Sequence, residues 1–359
     1  MHRFRVGVLT SGGDCPGLNA VLRGVVLAAE KLGWEVVGFR DGFEGLLPPG
    51  DFVILDRKST DGIMAQGGTM IGTTNRGHFI AKVGAGDRAV VAEDVIEKAR
   101  GVLKQLNVKS LIIVGGDGSM TTALQLQEAG IDCIGVPKTI DNDLEATAMT
   151  FGFDSAVAMV MDALDRLHTT ATSHKRVMVV EVMGRHAGWI ALHGGLAGGA
   201  DVILIPEIPF DFEKIAEAIR WRDAAGDLSS LVVVAEGAKA KDGQQVKRDM
   251  DSGEFRLGGI GDIVAREIAA RTGKETRACV LGHLQRGGAP TTLDRILGTR
   301  FGVKAVQLAN EGHFGSMVSY QNYQMRHVSF AEAVNRLRLV PPNGEMVQTA
   351  RDVEICFGD

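Results

Sequence analysis

Cysteine is scarce in this 359-residue chain, and so are aromatic residues and long apolar runs. The four cysteines, Cys15, Cys133, Cys279 and Cys356, are far apart and form no CxxC pair. That spacing argues against a zinc site or a disulfide framework and suits a reducing cytoplasm. No stretch of ~18 uninterrupted apolar residues occurs, so no membrane span is expected. The opening MHRFRVGVLT has too short an apolar run for a signal peptide. Net charge is −5 and no basic block stands out, which disfavours nucleic acid as a partner. Neither GxxxxGKS nor GxxxxGKT occurs, which excludes a P-loop. No solenoid-period repeat or low-complexity tract is present.

What the chain has in quantity is glycine, 47 residues, beside an ordinary 45% hydrophobic content. Sparse aromatics, at 5%, and plentiful glycine suit an α/β protein with many tight strand-to-helix turns. The length predicts two domains at ~150 residues each. Short β-branched runs recur at 5–10, 35–39, 52–55, 110–116, 133–137, 176–182, 202–206, 231–237 and 277–282. Most are apolar without alternation, the pattern of strands buried on both faces in a parallel sheet. Helical patterns lie between them. Ala156, Val157, Val160, Met161, Leu164 and Leu167 predict one helical stripe, with Asp154 as its N-cap. Two more helices are expected over Phe212–Trp221 and Ile260–Arg271. This alternation predicts a doubly wound α/β architecture in two halves. Residues 313–359 carry weaker patterns.

Ligands in such sheets bind beyond the carboxyl ends of the strands. TSGGDCPGLNAVLRG follows the first strand, and adjacent glycines there let backbone N–H groups approach a phosphate at a helix start. Alone, it reads as a tight turn. GGDGSMTTA follows the strand at 110–116, with Asp117 between glycines. A carboxylate in a phosphate cradle implies a bridging cation such as Mg²⁺. GGTMIGTTNRGH (67–78) adds Arg76, which by itself is a loop arginine. PKTIDND (137–143) then places Lys138, Thr139, Asp141 and Asp143 just after a strand. In an extended segment residues two apart face one side, and a carboxylate beside a sugar hydroxyl can take its proton. An Asx-turn is the plainer explanation of an isolated DND. The second half supplies Arg176, Arg185, His186, Glu236, Arg277, His283 and Arg286, a set that suits a phosphate ester because arginine binds it in a fork. Together these point to phosphoryl transfer to a hydroxyl. His174, His186 and His283 adjoin arginines, which disfavours a metal cluster. Met159, Met161 and Met178 are expected in the core, and Met183 at the border of the site.

In order and spacing, TSGGDCPGLNA, IIVGGDGS, PKTIDND, SHKR, VVEVMGR, AEG and VLGHLQRGG resemble the 6-phosphofructokinase family over residues ~5–310. The resemblance implies two Rossmann-like subdomains with mainly parallel sheets, here 1–152 plus about 285–335 and 153–284 plus about 336–359. It implies that Gly13, Arg76, Gly116, Asp117, Gly118 and Ser119 hold the nucleotide, with Asp117 the Mg²⁺ ligand. Asp141 is the implied general base for the 1-hydroxyl of fructose 6-phosphate, with Thr139 and Arg185 also catalytic. Thr139, Asp141, Met183, Gly184, Arg185, Glu236, His283 and Arg286 are implied to hold the sugar phosphate. Arg176 and Arg277 match positions that come from a neighbouring subunit, so a homodimer or homotetramer with shared sites is expected.

Gly118 and Lys138 together are a mixed donor signature. Pyrophosphate users in the family typically have GGDD with PKTIDND, whereas many bacterial ATP users have GGDG with PGTIDND. Gly118 leaves room for the α-phosphate of ATP, and Lys138 adds a cation that either donor could use. ATP is the expected donor in a glycolytic, cytoplasmic reaction, with pyrophosphate the alternative. Arg23 and Arg57 match two positions of the family's anionic effector site. Leu27 and His168 replace arginines there, and AAGDLSS replaces a lysine-rich stretch, so weak or absent regulation by ADP and phosphoenolpyruvate is expected. An NAD or lipid kinase would share only GGDG. A non-catalytic sugar-phosphate sensor would be expected to lack Asp117 or Asp141.

Overall fold

The computed structural model describes residues 4–79, 90–241, 247–249, 255–257, 259–334 and 336–359. Residue 335, at an expected domain limit, lies outside them. The chain divides into two compact units. One comprises Met1–Ile140, Leu144–Ser155 and Arg286–Leu337; the other comprises Asp141–Asp143, Ala156–Gln285 and Arg338–Asp359. In chain order the strands begin with β1 (Arg5–Thr10), β2 (Glu35–Phe39), β3 (Phe52–Leu55), β4 (Val108–Gly115), β5 (Cys133–Pro137) and β6 (Val177–Val182). They continue with β7 (Val202–Leu204), β8 (Ser230–Ala235), β9 (Lys247–Asp249), β10 (Phe255–Leu257), β11 (Thr276–Val280), β12 (Ser316–Gln321) and β13 (Gln324–Ser329).

The first unit is built on a sheet of order β13-β12-β5-β4-β1-β2-β3. Its inner strands are parallel, and the two edges, β3 and β13, are antiparallel to their neighbours. Apolar side chains of β1, β4 and β5 are almost wholly buried, as continuous apolar runs demand of strands covered on both faces. The helices Leu18–Lys31 and Thr292–Glu311 pack closely where Gly24 and Gly302 meet backbone atoms of Thr299 and Val21. A Cβ at Gly302 would stand 2.3 Å from the Val21 carbonyl oxygen, so only glycine fits that crossing. Within the C-terminal stretch, β12 adds to the sheet by pairing Ser316 with Ile134.

The second unit carries a parallel sheet of order β11-β6-β8-β7 and a small antiparallel hairpin, β9–β10. A doubly wound α/β fold with mainly parallel sheets is therefore what the chain adopts. The expected helices form as Phe212–Ala225 and Ile260–Thr272. The helix at 153–174 differs from expectation in two ways. It starts at Phe153, which puts Asp154 inside the first turn rather than at the N-cap. The buried carboxylate of Asp294 accepts instead from the Ser155 amide (2.8 Å) and hydroxyl (2.6 Å). The buried stripe is also narrower than the sequence pattern. Ala156, Val160 and Leu164 are fully buried, whereas Met161 is 39% exposed and Val157, Met159 and Leu167 are half-buried. The reason is a neighbour rich in glycine. Gly194 and Gly198, in and just after the helix Trp189–Ala197, lie so close to Val160 and Leu164 that the contact covers only a narrow strip. No helix among the described residues is long and apolar enough to cross a membrane.

Candidate active site

In the first unit β5, β4 and β1 are consecutive neighbours, so their carboxyl ends lie side by side. The segments that follow them close around a cavity of about 270 Å³. It is lined by Ser11, Gly12 and Gly13 after β1, by Gly116, Gly118 and Ser119 after β4, and by Lys138 and Thr139 after β5. Arg76 joins them from the 67–78 loop. That loop is fastened to the first turn by the Gly12 amide donating to Thr74 O (3.0 Å) and the Thr73 hydroxyl donating to Gly12 O (2.7 Å). Gly12 has φ +82°, a conformation costly for other residues. The helix Asp117–Glu128 starts at the cavity, so its unsatisfied N–H groups and positive dipole end meet any anion there.

Two cations flank the glycine turn. The ammonium of Lys138, a buried residue, donates to Gly13 O at 2.5 Å. The guanidinium of Arg286 donates to Asp14 O at 3.0 Å. A Cβ at Gly13 would lie 2.8 Å from Arg286 Nη1. Arg286, grouped with the sugar-phosphate set by the resemblance, thus lines this cavity. Asp117 opens the helix at the carboxyl end of β4.

Past Thr139 the chain does not continue as an extended segment. It bends at Ile140 and Asp141, and Asn142 takes the left-handed conformation, φ +52°. The same-face relation expected of Asp141 and Asp143 from strand geometry therefore does not apply. Asparagine is among the residues that best tolerate this turn. Its carbonyl and that of Asp143 point to the second unit's C-terminal segment, accepting from Arg338.

The second unit separates its candidate residues into two groups. Met183, Gly184 and Arg185 follow β6, Glu236 follows β8, and His283 follows β11, all at carboxyl ends. The first two turns are packed together. The Gly237 amide donates to Gly184 O (3.1 Å), and a Cβ at Gly237 would stand 2.1 Å from Arg185 O. Burial and the charge of Arg185 both hold the His186 imidazole below its ordinary pKa, with Asp143 acting weakly the other way. Arg176 and Arg277 sit at the opposite, amino ends of β6 and β11. Both pair with one carboxylate, Glu275, at 2.8 and 2.5 Å. A strand of six residues spans roughly 20 Å, so these arginines stand well away from Arg185 of their own chain.

The family model for phosphofructokinase matches residues 5–309. The chain belongs to the phosphofructokinase family. It is 51% identical over 355 residues to the ATP-dependent 6-phosphofructokinase of Chloroflexus aggregans, covering 99% of this chain and 98% of that one. It is also 49% identical over 359 residues to the pyrophosphate–fructose 6-phosphate 1-phosphotransferase of Amycolatopsis methanolica, covering 99% and 100%. A crystal structure of Pichia pastoris phosphofructokinase superposes with TM-score 0.81 at 29% identity over 99% of this chain, which corresponds to 37% of that one.

Against this phosphofructokinase background, several residues the sequence did not single out take part in the geometry. Phe43 and Phe79 stack at 5.5 Å and give the first cavity an apolar wall. Glu44 beside them accepts from the His78 amide at 2.7 Å. Gln285, almost wholly buried, accepts the Met183 amide at 2.8 Å and so fixes the turn that carries Arg185. A glutamine between His283 and Arg286 in LGHLQRGG was the available signal; nothing local pairs Phe43 with Phe79. A second hollow, of about 500 Å³, holds Arg23 and Arg57, the two effector-type arginines, with Lys58, Glu30, Asp56 and Asp61. Glu30 accepts from both the amide and the side chain of Arg57, at 2.9 and 3.2 Å. Arg23 donates to Thr60 O at 2.8 Å and lies 3.6 Å from Asp61.

Proposed function

We propose that the protein transfers the terminal phosphoryl group of ATP to the 1-hydroxyl of fructose 6-phosphate, giving fructose 1,6-bisphosphate and ADP, a glycolytic reaction of the cytoplasm. The observation that carries this reading is the convergence of three adjacent strand ends on one cavity. Two glycine turns, a helix N-terminus and Lys138 meet there, and the chain reaches Asp141 two residues after Thr139. Gly13, Arg76, Gly116, Gly118 and Ser119 hold the donor phosphates with backbone N–H groups and positive charge. Asp141 takes the proton of the 1-hydroxyl as its oxygen attacks phosphorus, and ADP leaves with the electrons of the broken P–O bond. Met183, Gly184, Arg185, Glu236 and His283 hold the sugar phosphate, and Arg185 supplies charge to the transition state.

No group of three or more His, Cys, Asp or Glu able to hold a metal occurs among the described residues. One carboxylate, Asp117, is the donor set expected for Mg²⁺ that arrives with the nucleotide, because Mg²⁺ keeps water and phosphate oxygens as its other ligands. Once bound there, Mg²⁺ would offset charge on the donor phosphates. Arg176 and Arg277, at the amino ends of their strands, serve the site of a neighbouring copy in a homodimer or homotetramer. In the second hollow, carboxylates beside Arg23 and Arg57 oppose an anion, so ADP and phosphoenolpyruvate regulate weakly or not at all.

Pyrophosphate is the second reading, favoured by the buried Lys138 beside Gly13 and by the relative that carries that name. Gly118, the smallest possible lining residue, supports ATP on steric grounds. Purified enzyme given fructose 6-phosphate and Mg²⁺ with each donor in turn, in an aldolase-coupled assay, decides the matter. Turnover with ATP alone is expected; turnover with pyrophosphate alone would reverse the assignment.

A further inference from the structure

The segment after Leu337 has no part in the reading above, yet it holds the backbone around Asp141. The Arg338 amide donates to Asp143 O at 2.8 Å, and its guanidinium reaches toward Asn142 O at 3.5 Å. The same guanidinium lies over the Trp189 ring, its carbon 4.6 Å from the ring centre. Trp189 in turn donates its indole N–H to Arg338 O at 2.8 Å. Trp189 opens the helix that follows the Met183–Gly188 turn, where Arg185 sits. Two residues beyond Arg338, the Val340 amide donates to Glu207 at 2.9 Å, and Glu207 also accepts the Gly188 amide at 3.0 Å. One short stretch, 338–340, therefore grips both the Asp141–Asp143 turn and the turn carrying Arg185.

We infer that Arg338, clamped on Trp189, is a positioning residue that holds the left-handed turn at Asn142 and so sets the aim of Asp141. The inference rests on Asp141 being the base. Asparagine tolerates positive φ better than most residues but still at a cost. Arg338 supplies two restraints on the turn, a backbone amide that side-chain variants keep and a guanidinium, lying over Trp189, that they alter. Small displacements of a reacting group are costly in rate, so loosening the turn lowers kcat more than it alters donor binding.

The test combines kinetics with hydrogen exchange on the full chain, using Arg338→Ala, Arg338→Lys and Trp189→Phe. Arg338→Ala is expected to lower kcat on the order of 10- to 100-fold while KM for the donor changes little. Exchange should quicken in peptides covering 139–145 and stay as in the parent protein across the helix 18–31. Arg338→Lys keeps the charge but not the planar stack and should recover part of kcat. Trp189→Phe keeps an aromatic face, though a smaller one, and loses the N–H donor to Arg338 O, and should quicken exchange in the same peptide. Unchanged exchange at 139–145 in both Arg338→Ala and Trp189→Phe overturns the inference, as does a parental kcat in Arg338→Ala. A parent enzyme that fails to phosphorylate fructose 6-phosphate would sink the functional reading instead, and the exchange data would still judge the restraint. If Arg338→Ala unfolds, exchange rising everywhere, the milder Arg338→Lys and Trp189→Phe decide by the same localised readout.

Discussion

Two hollows of the first unit each present basic side chains, and they treat them differently. In the cavity at the strand ends, Lys138 and Arg286 donate to the backbone carbonyls of Gly13 and Asp14. A carbonyl oxygen carries only a partial charge, so it positions a cation while offsetting less of its charge than a carboxylate does, and the start of the helix 117–128 adds positive potential. In the hollow near residue 57, Arg57 faces Glu30 and Arg23 faces Asp61. A carboxylate both positions the cation and offsets its charge. Counting arginines and lysines would rank the two as equals. These acceptors differ between the two, carbonyls in the first and carboxylates in the second.

Removing the cradle's charge should give the largest effect. Lys138→Met keeps the length of the side chain and loses the ammonium. Donor kcat/KM is expected to fall on the order of 100-fold, as when one charge-stabilising donor is removed from a reaction site. KM for fructose 6-phosphate should move little. Steady-state kinetics with each donor would check this, and a loss under about threefold would mean that the two hollows do not differ in the way their acceptors suggest.

The strands and glycine turns around the first cavity were legible in the sequence, for a physical reason. Glycine turns and apolar runs are local, and β1, β4 and β5 form where their β-branched residues predict, with the glycine segments at their carboxyl ends. Features that depend on distant partners were not. Arg286 reaches the cavity by donating to Asp14 O across 272 residues, which no spacing rule anticipates. The Asp141–Asp143 turn departs from the extended geometry, and its Asp143 carbonyl accepts from the Arg338 amide, a partner far along the chain that no local pattern announces. β12, SMVSYQ, carries too few apolar residues to look like a sheet strand, yet it pairs with β5. Glu30 is an unremarked helix residue until the fold sets it against Arg57.

Asp294 is the converse case, a buried carboxylate held by hydroxyl and amide donors of Ser155. Burial pushes its pKa up from 3.8 to about 6 against those hydrogen bonds. A carboxyl group that holds its proton more tightly when folded contributes stability below its unfolded pKa and loses it as pH rises through the folded value. The stability that Asp294 supplies is thus full below pH 3.8 and gone above about 6. At roughly 1.4 kcal/mol per pH unit the change is at most on the order of 3 kcal/mol. Asp294→Asn should flatten this part of the stability profile, so that variant and parent diverge between pH 4 and 6 in denaturant titrations. A parallel pair of profiles would show that the carboxyl group does not titrate in that range.

The smallest effect should come from converting the second hollow into a likeness of the first. Glu30→Gln with Asp61→Asn removes two negative charges and leaves Arg23 and Arg57 in place. Both pairs are exposed on at least one side, and such pairs are worth about 0–1 kcal/mol each. The expected gain in affinity for ADP is therefore about fivefold, since tenfold corresponds to roughly 1.4 kcal/mol. Calorimetric titration of ADP would be done with the active-site cavity saturated by a non-hydrolysable ATP analogue, so that only the second hollow responds. The parent protein should show no second binding event, and the double variant a weak one that fades as salt is raised. If the parent already binds ADP there tightly, Glu30 and Asp61 do not compensate the arginines, and the contrast between the hollows rests on something other than their acceptors.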